Sequence, residues 1–219
     1  MRHQTGSMTE RGKFITVEGI EGAGKSSNLA YIRELLDSAG KKHIFTREPG
    51  GTELGEDIRR LLLDHKHSGM GNDAELLLIF GARAEHIESV INPALKEGVW
   101  VLCDRFTDAS YAYQGGGRGI DRERIRSLEQ WVQGDLRPDL TLLLDLPVET
   151  GLARAGNRSE PDRFEVEHRS FFDGVRKAYL EIAGMEPERV RVIDASLSVD
   201  RVRGQIETVL GGYLSAGNP

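Results

Sequence analysis

Gly19-Ile20-Glu21-Gly22-Ala23-Gly24-Lys25-Ser26 fits the pattern G-x-x-x-x-G-K-[ST]. It follows the apolar run Phe14-Ile15-Thr16-Val17 and opens a segment in which Leu29, Ile32 and Leu36 recur at helical spacing. A strand, a glycine-rich turn and a helix in that order make a phosphate-binding loop. Glycines let successive backbone N–H groups point inward at an anion, and the helix adds its positive dipole end. Lys25 can then reach the outer phosphates of a nucleotide, and the Ser26 hydroxyl can ligate Mg²⁺. Gly19, Glu21, Gly22, Ala23, Gly24, Lys25, Ser26 and Ser27 are the candidate nucleotide-binding residues of this loop.

Working outward, strand patterns alternate with helix patterns. Strands are expected at His43 to Thr46, Val99 to Cys103, Leu140 to Leu146 and Val190 to Ile193. Helices are expected around Leu54 to Leu62, Glu75 to Ile91 with Asp73 as N-cap and Pro93 near the end, Arg122 to Val132, Phe171 to Ala183 and Val199 to Leu214. Gly40 is placed to end the first helix. Such alternation implies an α/β fold, a five-stranded parallel sheet with helices on both faces and ligands at the carboxyl ends of its strands.

The chain has 219 residues, 38% hydrophobic and 29% charged, which suits one domain at 14–214 with a flexible extension at 1–13 and a frayed end at 215–219. A net charge of −6 argues against coating nucleic acid, which needs a broad cationic excess. No apolar run reaches the roughly 18 to 20 residues of a membrane span, and the single cysteine, Cys103, cannot form an internal disulfide. A cytoplasmic protein is expected. His65 and His67 lack a metal-ligand pattern.

Further chemistry-bearing residues cluster just after the expected strands. Arg47-Glu48-Pro49-Gly50-Gly51-Thr52 follows the second, its turn aiming Arg47 at the phosphate loop. Asp104-Arg105 follows the third: the carboxylate suits Mg²⁺ or its water, the guanidinium a phosphate. On the long helix Phe80 and Arg83 share a face. The stretch 154–164, with Arg154, Arg158 and Arg163 among Gly156, Ser159 and Pro161, reads as a mobile cationic lid that closes over phosphates. Two Gly-rich segments, 115–119 and 156–161, read as working loops.

The phosphate loop, the 47–52 motif, Asp104-Arg105, Ala112-Tyr113-Gln114-Gly115-Gly116-Gly117-Arg118-Gly119 and Asp162-Arg163-Phe164-Glu165 together resemble the bacterial thymidylate kinases, from about Phe14 to Leu214. The resemblance implies a P-loop kinase fold, a homodimer, and transfer of the γ-phosphoryl of ATP to dTMP, giving dTDP for dTTP synthesis, with Mg²⁺. By the same resemblance Lys25 and Ser26 would hold ATP phosphates and metal, and Asp104 the metal shell. Arg47 and Arg105 would hold the dTMP phosphate. Arg83, Ser110 and Gln114 would address thymine with Phe80 or Ile79 beneath it, Tyr113 would line the dTMP site, and Glu21 would face the sugar 3′-OH. Eukaryotic relatives carry a catalytic arginine at the place of Gly22, whereas bacterial ones use a lid arginine. Arg158 is therefore the expected catalytic arginine, with Arg154 second.

Overall fold

The computed structural model describes residues 10–156, 163–164 and 167–215. Five parallel strands, β1 (Phe14–Glu18), β2 (His43–Arg47), β3 (Trp100–Asp104), β4 (Leu140–Asp145) and β5 (Val190–Asp194), lie in the order β2-β3-β1-β4-β5. Each boundary falls within one residue of the sequence expectation. β1, β3 and β4 are almost wholly buried, as near-continuous apolar runs between two helical layers should be.

The strands end in Glu18, Arg47, Asp104, Asp145 and Asp194, so one edge of the sheet gathers charge. Parallel register sets Arg47 beside Asp104 and Val17 beside Asp104, bringing three crossovers to one crevice next to the phosphate loop.

The helices are α1 (Lys25–Ser38), α2 (Glu53–Leu63), α3 (Asn72–His86), α4 (Asn92–Lys96), α5 (Thr107–Ser110), α6 (Arg122–Gln133), α7 (Val148–Ala155), α8 (Arg169–Met185) and α9 (Val199–Ser215). Thr52 caps α2 by accepting from the Gly55 N–H, and Gly40 follows α1 with φ of +65°.

Three local expectations are corrected. The long helix starts at Asn72, with Gly71 as its cap; Asp73 lies in the first turn and pairs with Arg124 at 2.9 Å. That helix also outlasts Pro93. A π turn, Ile87–Ile91, already departs from the i−4 ladder, so Pro93 sits in the first turn of α4, where its missing N–H costs little.

The Gly-rich 115–119 segment is mostly helical: Tyr111–Gly117 forms a π turn continuous with α5 and packed on α8. Its glycines serve contact between backbones. A Cβ on Gly116 would lie 2.4 Å from the Gly174 carbonyl oxygen, and one on Gly174 would lie 2.3 Å from that of Gly116.

At the N-terminus the chain is packed from Gly12, whose N–H donates to the Leu95 carbonyl at 2.9 Å, so the sheet layer begins before residue 14. The expected frayed ends at 1–9 and 216–219 lie outside the described residues.

Candidate active site

The phosphate loop enters α1 through Gly24 in the left-handed conformation, and no side chain caps the first turn. The first-turn amide N–H groups are thus left without a side-chain cap, as an anion site needs. Lys25 reaches back to the Gly19 carbonyl at 3.4 Å. Burial, then the nearby Arg105 charge, lowers the Lys25 pKa, while Asp104, Glu21 and Glu18 oppose the shift.

A cavity of about 300 Å³ opens beside this loop. At one end it is lined by Glu21 to Ser26, Arg47, Asp104 and Arg105; farther in it is lined by Ile79, Arg83, Ser110, Tyr113 and Gln114. Residues from four separate sequence motifs therefore meet on one surface. Its walls carry five cationic side chains, Lys25, Arg47, Arg59, Arg83 and Arg105, and three carboxylates, Glu21, Glu48 and Asp104.

Arg105 takes φ of +67°, the one non-glycine positive φ among the described residues. Such a conformation costs on the order of 1–3 kcal/mol and persists only where neighbours hold it. Here the Arg105 N–H donates to the Val17 carbonyl at 3.1 Å, and the next N–H, of Phe106, donates to the Glu18 carboxylate at 2.7 Å. The turn aims the guanidinium into the cavity, where it donates to the Gly19 carbonyl at 2.8 Å and to Glu21 at 2.9 Å and lies 4.7 Å from the Tyr113 ring. Tyr113 also donates to Glu21, at 2.8 Å, so Glu21 is already held by two partners.

Arg47 is half exposed and bidentate to Glu56, at 2.8 and 3.2 Å. Asp104 Oδ1 is buried without a hydrogen-bond partner. That orphaned oxygen, on a cavity that Ser26 also lines, fits a hard oxygen-seeking cation, and Mg²⁺ commonly takes one or two protein oxygens and fills the rest of its shell from phosphate and water. Among the described residues no group of three or more His, Cys, Asp or Glu is gathered for a metal.

Arg83 is 1% exposed. Its Nε donates to Glu48 at 2.6 Å, and one terminal nitrogen donates to Ser110 at 3.0 Å and the Phe106 carbonyl at 3.2 Å. Its other terminal nitrogen is buried with no partner. A buried guanidinium nitrogen left unsatisfied is costly unless a ligand completes it.

Phe80 and Arg154, both expected at the site, point elsewhere. Phe80 packs with Leu76, Ile120 and Ile125 in a hydrophobic cluster and does not line the cavity; Ile79, one residue earlier, does. One step along a helix turns a side chain by about 100°, and Phe80 instead supports Arg83 from behind, ring to guanidinium at 4.6 Å. Arg154 points to the β5 side, donating to the Ala195 carbonyl at 2.9 Å.

Arg163, expected within the cationic lid, is 3% exposed and donates to the Leu62 carbonyl and to Glu75, both at 2.7 Å. It anchors the end of the segment, where a carboxylate waits for it. Arg158 and the rest of 157–162 lie outside the described residues. Gly19, whose carbonyl takes bonds from Lys25 and Arg105, and Ser27, exposed on α1, do not line the cavity.

The sequence reading missed three buried supports, Glu18, Glu48 and Glu75, and one half-buried cation, Arg59. Glu18 ends β1 and accepts from Tyr179 at 2.6 Å; burial, then the Asp108 charge, pushes its pKa up to about 8. Glu48 joins Arg83 to His86, and Glu75 joins Arg163 to Gln114. Arg59 lines the cavity and donates to the Pro49 carbonyl at 3.0 Å; burial lowers its pKa. Glutamates and arginines on amphipathic segments read as solvated faces; only the partner across the fold reveals burial.

The chain also matches known proteins. Residues 17–206 match the family described as thymidylate kinase. The chain is 58% identical to the thymidylate kinase of Ectopseudomonas mendocina over 205 residues, 94% of this chain and 98% of that one. It is also 58% identical over 199 residues to that of Pseudomonas syringae pv. tomato, covering 91% and 95%. The solved thymidylate kinase of Ehrlichia chaffeensis superposes with a TM-score of 0.74 at 33% identity, covering 92% of this chain and 99% of that one. On fold, site geometry and sequence, the chain belongs to the thymidylate kinase family.

Proposed function

We infer that this chain transfers the γ-phosphoryl group of ATP to dTMP, forming dTDP and ADP. The observation that carries this reading is the two-ended cavity: guanidinium groups next to a phosphate loop, and at the other end a donor and an acceptor suited to one base. In this reading the free Arg83 nitrogen donates to the thymine O4 and Gln114 addresses N3–H, while Ile79 supplies apolar contact. Cytosine presents an amino group where thymine has O4, so the buried donor would meet another donor.

Phosphoryl transfer needs little covalent help from protein, so rate comes from in-line alignment and from cations that meet charge on the transferring group. The phosphate loop and Lys25 hold the donor, and Arg47 and Arg105 hold the acceptor phosphate. Glu21, fixed by Arg105 and Tyr113, orients the sugar. Ser26 and Asp104 would hold Mg²⁺, which when bound neutralises phosphate charge.

Gly22 leaves the loop without an arginine, and Arg158 is our choice to supply it from the lid; Arg154, the second choice, would first have to release the Ala195 carbonyl. Arg158→Ala should lower kcat by roughly 10³-fold, measured in single-turnover assays. Near-normal turnover would reject that role.

The exposed apolar side chains Leu54, Leu61, Leu77 and Trp131 lie on α2, α3 and α6, which pack side by side, and support a homodimer through helices. Among the described residues no helix is long and apolar enough to cross a membrane.

A coupled assay with ATP, Mg²⁺ and a panel of nucleoside monophosphates tests the reading. Preference for dTMP supports it; preference for another monophosphate makes the chain a different kinase of this fold, and ATP binding without turnover makes it a regulator.

A further inference from the structure

Glu75 lies in the first turn of α3 and is wholly buried, yet it touches no reacting group. Its carboxylate accepts from Arg163 at 2.7 Å, from Arg118 at 3.3 and 3.4 Å and from the Gln114 side-chain Nε2 at 2.9 Å. Arg118 is tied in turn to Glu167 at 2.5 Å. Three segments thus converge on one carboxylate: the turn that carries Gln114, the chain at Arg163, and α3.

An amide can present either end to a neighbour, and its neighbour decides which. A carboxylate offers acceptors only, so Gln114 must turn its NH₂ toward Glu75. The polar atom then left for the cavity that Gln114 lines is the carbonyl oxygen. An acceptor there matches the N3–H of thymine or uracil and opposes the lone pair on N3 of cytosine. With the free Arg83 nitrogen as donor, the far wall becomes a donor–acceptor pair of fixed polarity.

We propose that Glu75 is a positioning residue for base selection: by holding the Gln114 amide in one orientation it makes the pocket accept a base that carries N3–H. The proposal rests on the dTMP reading above. It also explains why a charged group is buried at this point. Replacing Glu75 by glutamine exchanges one acceptor oxygen for an NH₂, and because the two arginines claim the remaining oxygen, the NH₂ faces Gln114 and turns its amide over.

Steady-state kinetics with dTMP and dCMP test this. Glu75→Gln should lower the dTMP:dCMP ratio of kcat/KM by about 10-fold, one hydrogen bond's worth, mainly through KM. Arg163→Met, which cuts the same network on the side away from Gln114, should lower the melting temperature and keep the ratio. On a Gln114→Leu background Glu75→Gln should change the ratio no further, since it acts through that amide.

An unchanged ratio in folded Glu75→Gln, an equal fall in Arg163→Met, or a further fall on the Gln114→Leu background would each overturn the proposal. Equal use of dTMP and dCMP by the wild type would instead remove the base-pocket reading and this proposal with it. If Glu75→Gln shows no cooperative melt, the wild type decides by NMR. A slowly exchanging Gln114 side-chain NH₂ in the ligand-free protein supports the proposal, and protection that appears only on adding dTMP overturns it.

Discussion

At the scale of single residues, the site is built from charged groups whose partners are other charged groups out of water. Arg83 reaches the cavity with one nitrogen free because Glu48 and Ser110 hold the others, and Glu48 is itself held by His86. Removing either partner of such a buried pair leaves an uncompensated charge, the costly case. Glu18 carries a consequence for pH. Burial raises its pKa from the ordinary 4.5 to about 8, so between these values the folded protein keeps a proton that the unfolded chain releases. Its contribution to stability is therefore full below about 4.5 and declines as pH rises through 8. Glu18→Gln keeps an acceptor for the Phe106 N–H and cannot ionise. Its melting temperature should rise relative to wild type as pH goes from about 5 to 8, then stay level. Parallel melting curves across that range would contradict the assignment.

At the scale of elements, the phosphate loop and α7 touch backbone to backbone. Gly22 has φ of +73°, and a Cβ there would lie 1.9 Å from the Gly151 carbonyl oxygen. A side chain at 22 would collide with α7, so this position of the loop cannot carry an arginine. The contact is with α7 itself, through Gly151. Gly40 is the control: its φ is +65°, but nothing lies within 4 Å of its Cβ position. Gly40→Ala should cost about 1 kcal/mol, from conformation alone, by chemical denaturation. Gly22→Ala should cost roughly 3 kcal/mol or more and raise the KM for ATP, because strain and overpacking add. Equal costs at the two positions would show that α7 yields freely.

At the scale of the whole molecule, a chain with net charge −6 nevertheless concentrates Lys25, Arg47, Arg59, Arg83 and Arg105 on one cavity at the carboxyl edge of the sheet. A base that completes the free Arg83 nitrogen should stabilise the fold as a unit. At about 100 times its Kd, dTMP should add about 2.7 kcal/mol and raise the melting temperature by roughly 5–10 °C, with dCMP at the same concentration doing far less. Equal shifts would argue against selection by the far wall. Much of this was legible in the linear chain. Strand runs, the spacing around Lys25 and the polar residues that end each strand are local signals, and parallel alternation leaves few topologies, so fold and cavity mouth followed from sequence. The tertiary structure alone decided which neighbour on a helix faces the cavity, Ile79 and not Phe80, and that Arg163 is an anchor. It alone revealed Glu18, Glu48 and Glu75 beneath the binding side chains. Burial and amide orientation depend on partners 35 to 161 positions away, and no local pattern records which residues the fold will bring within hydrogen-bond reach.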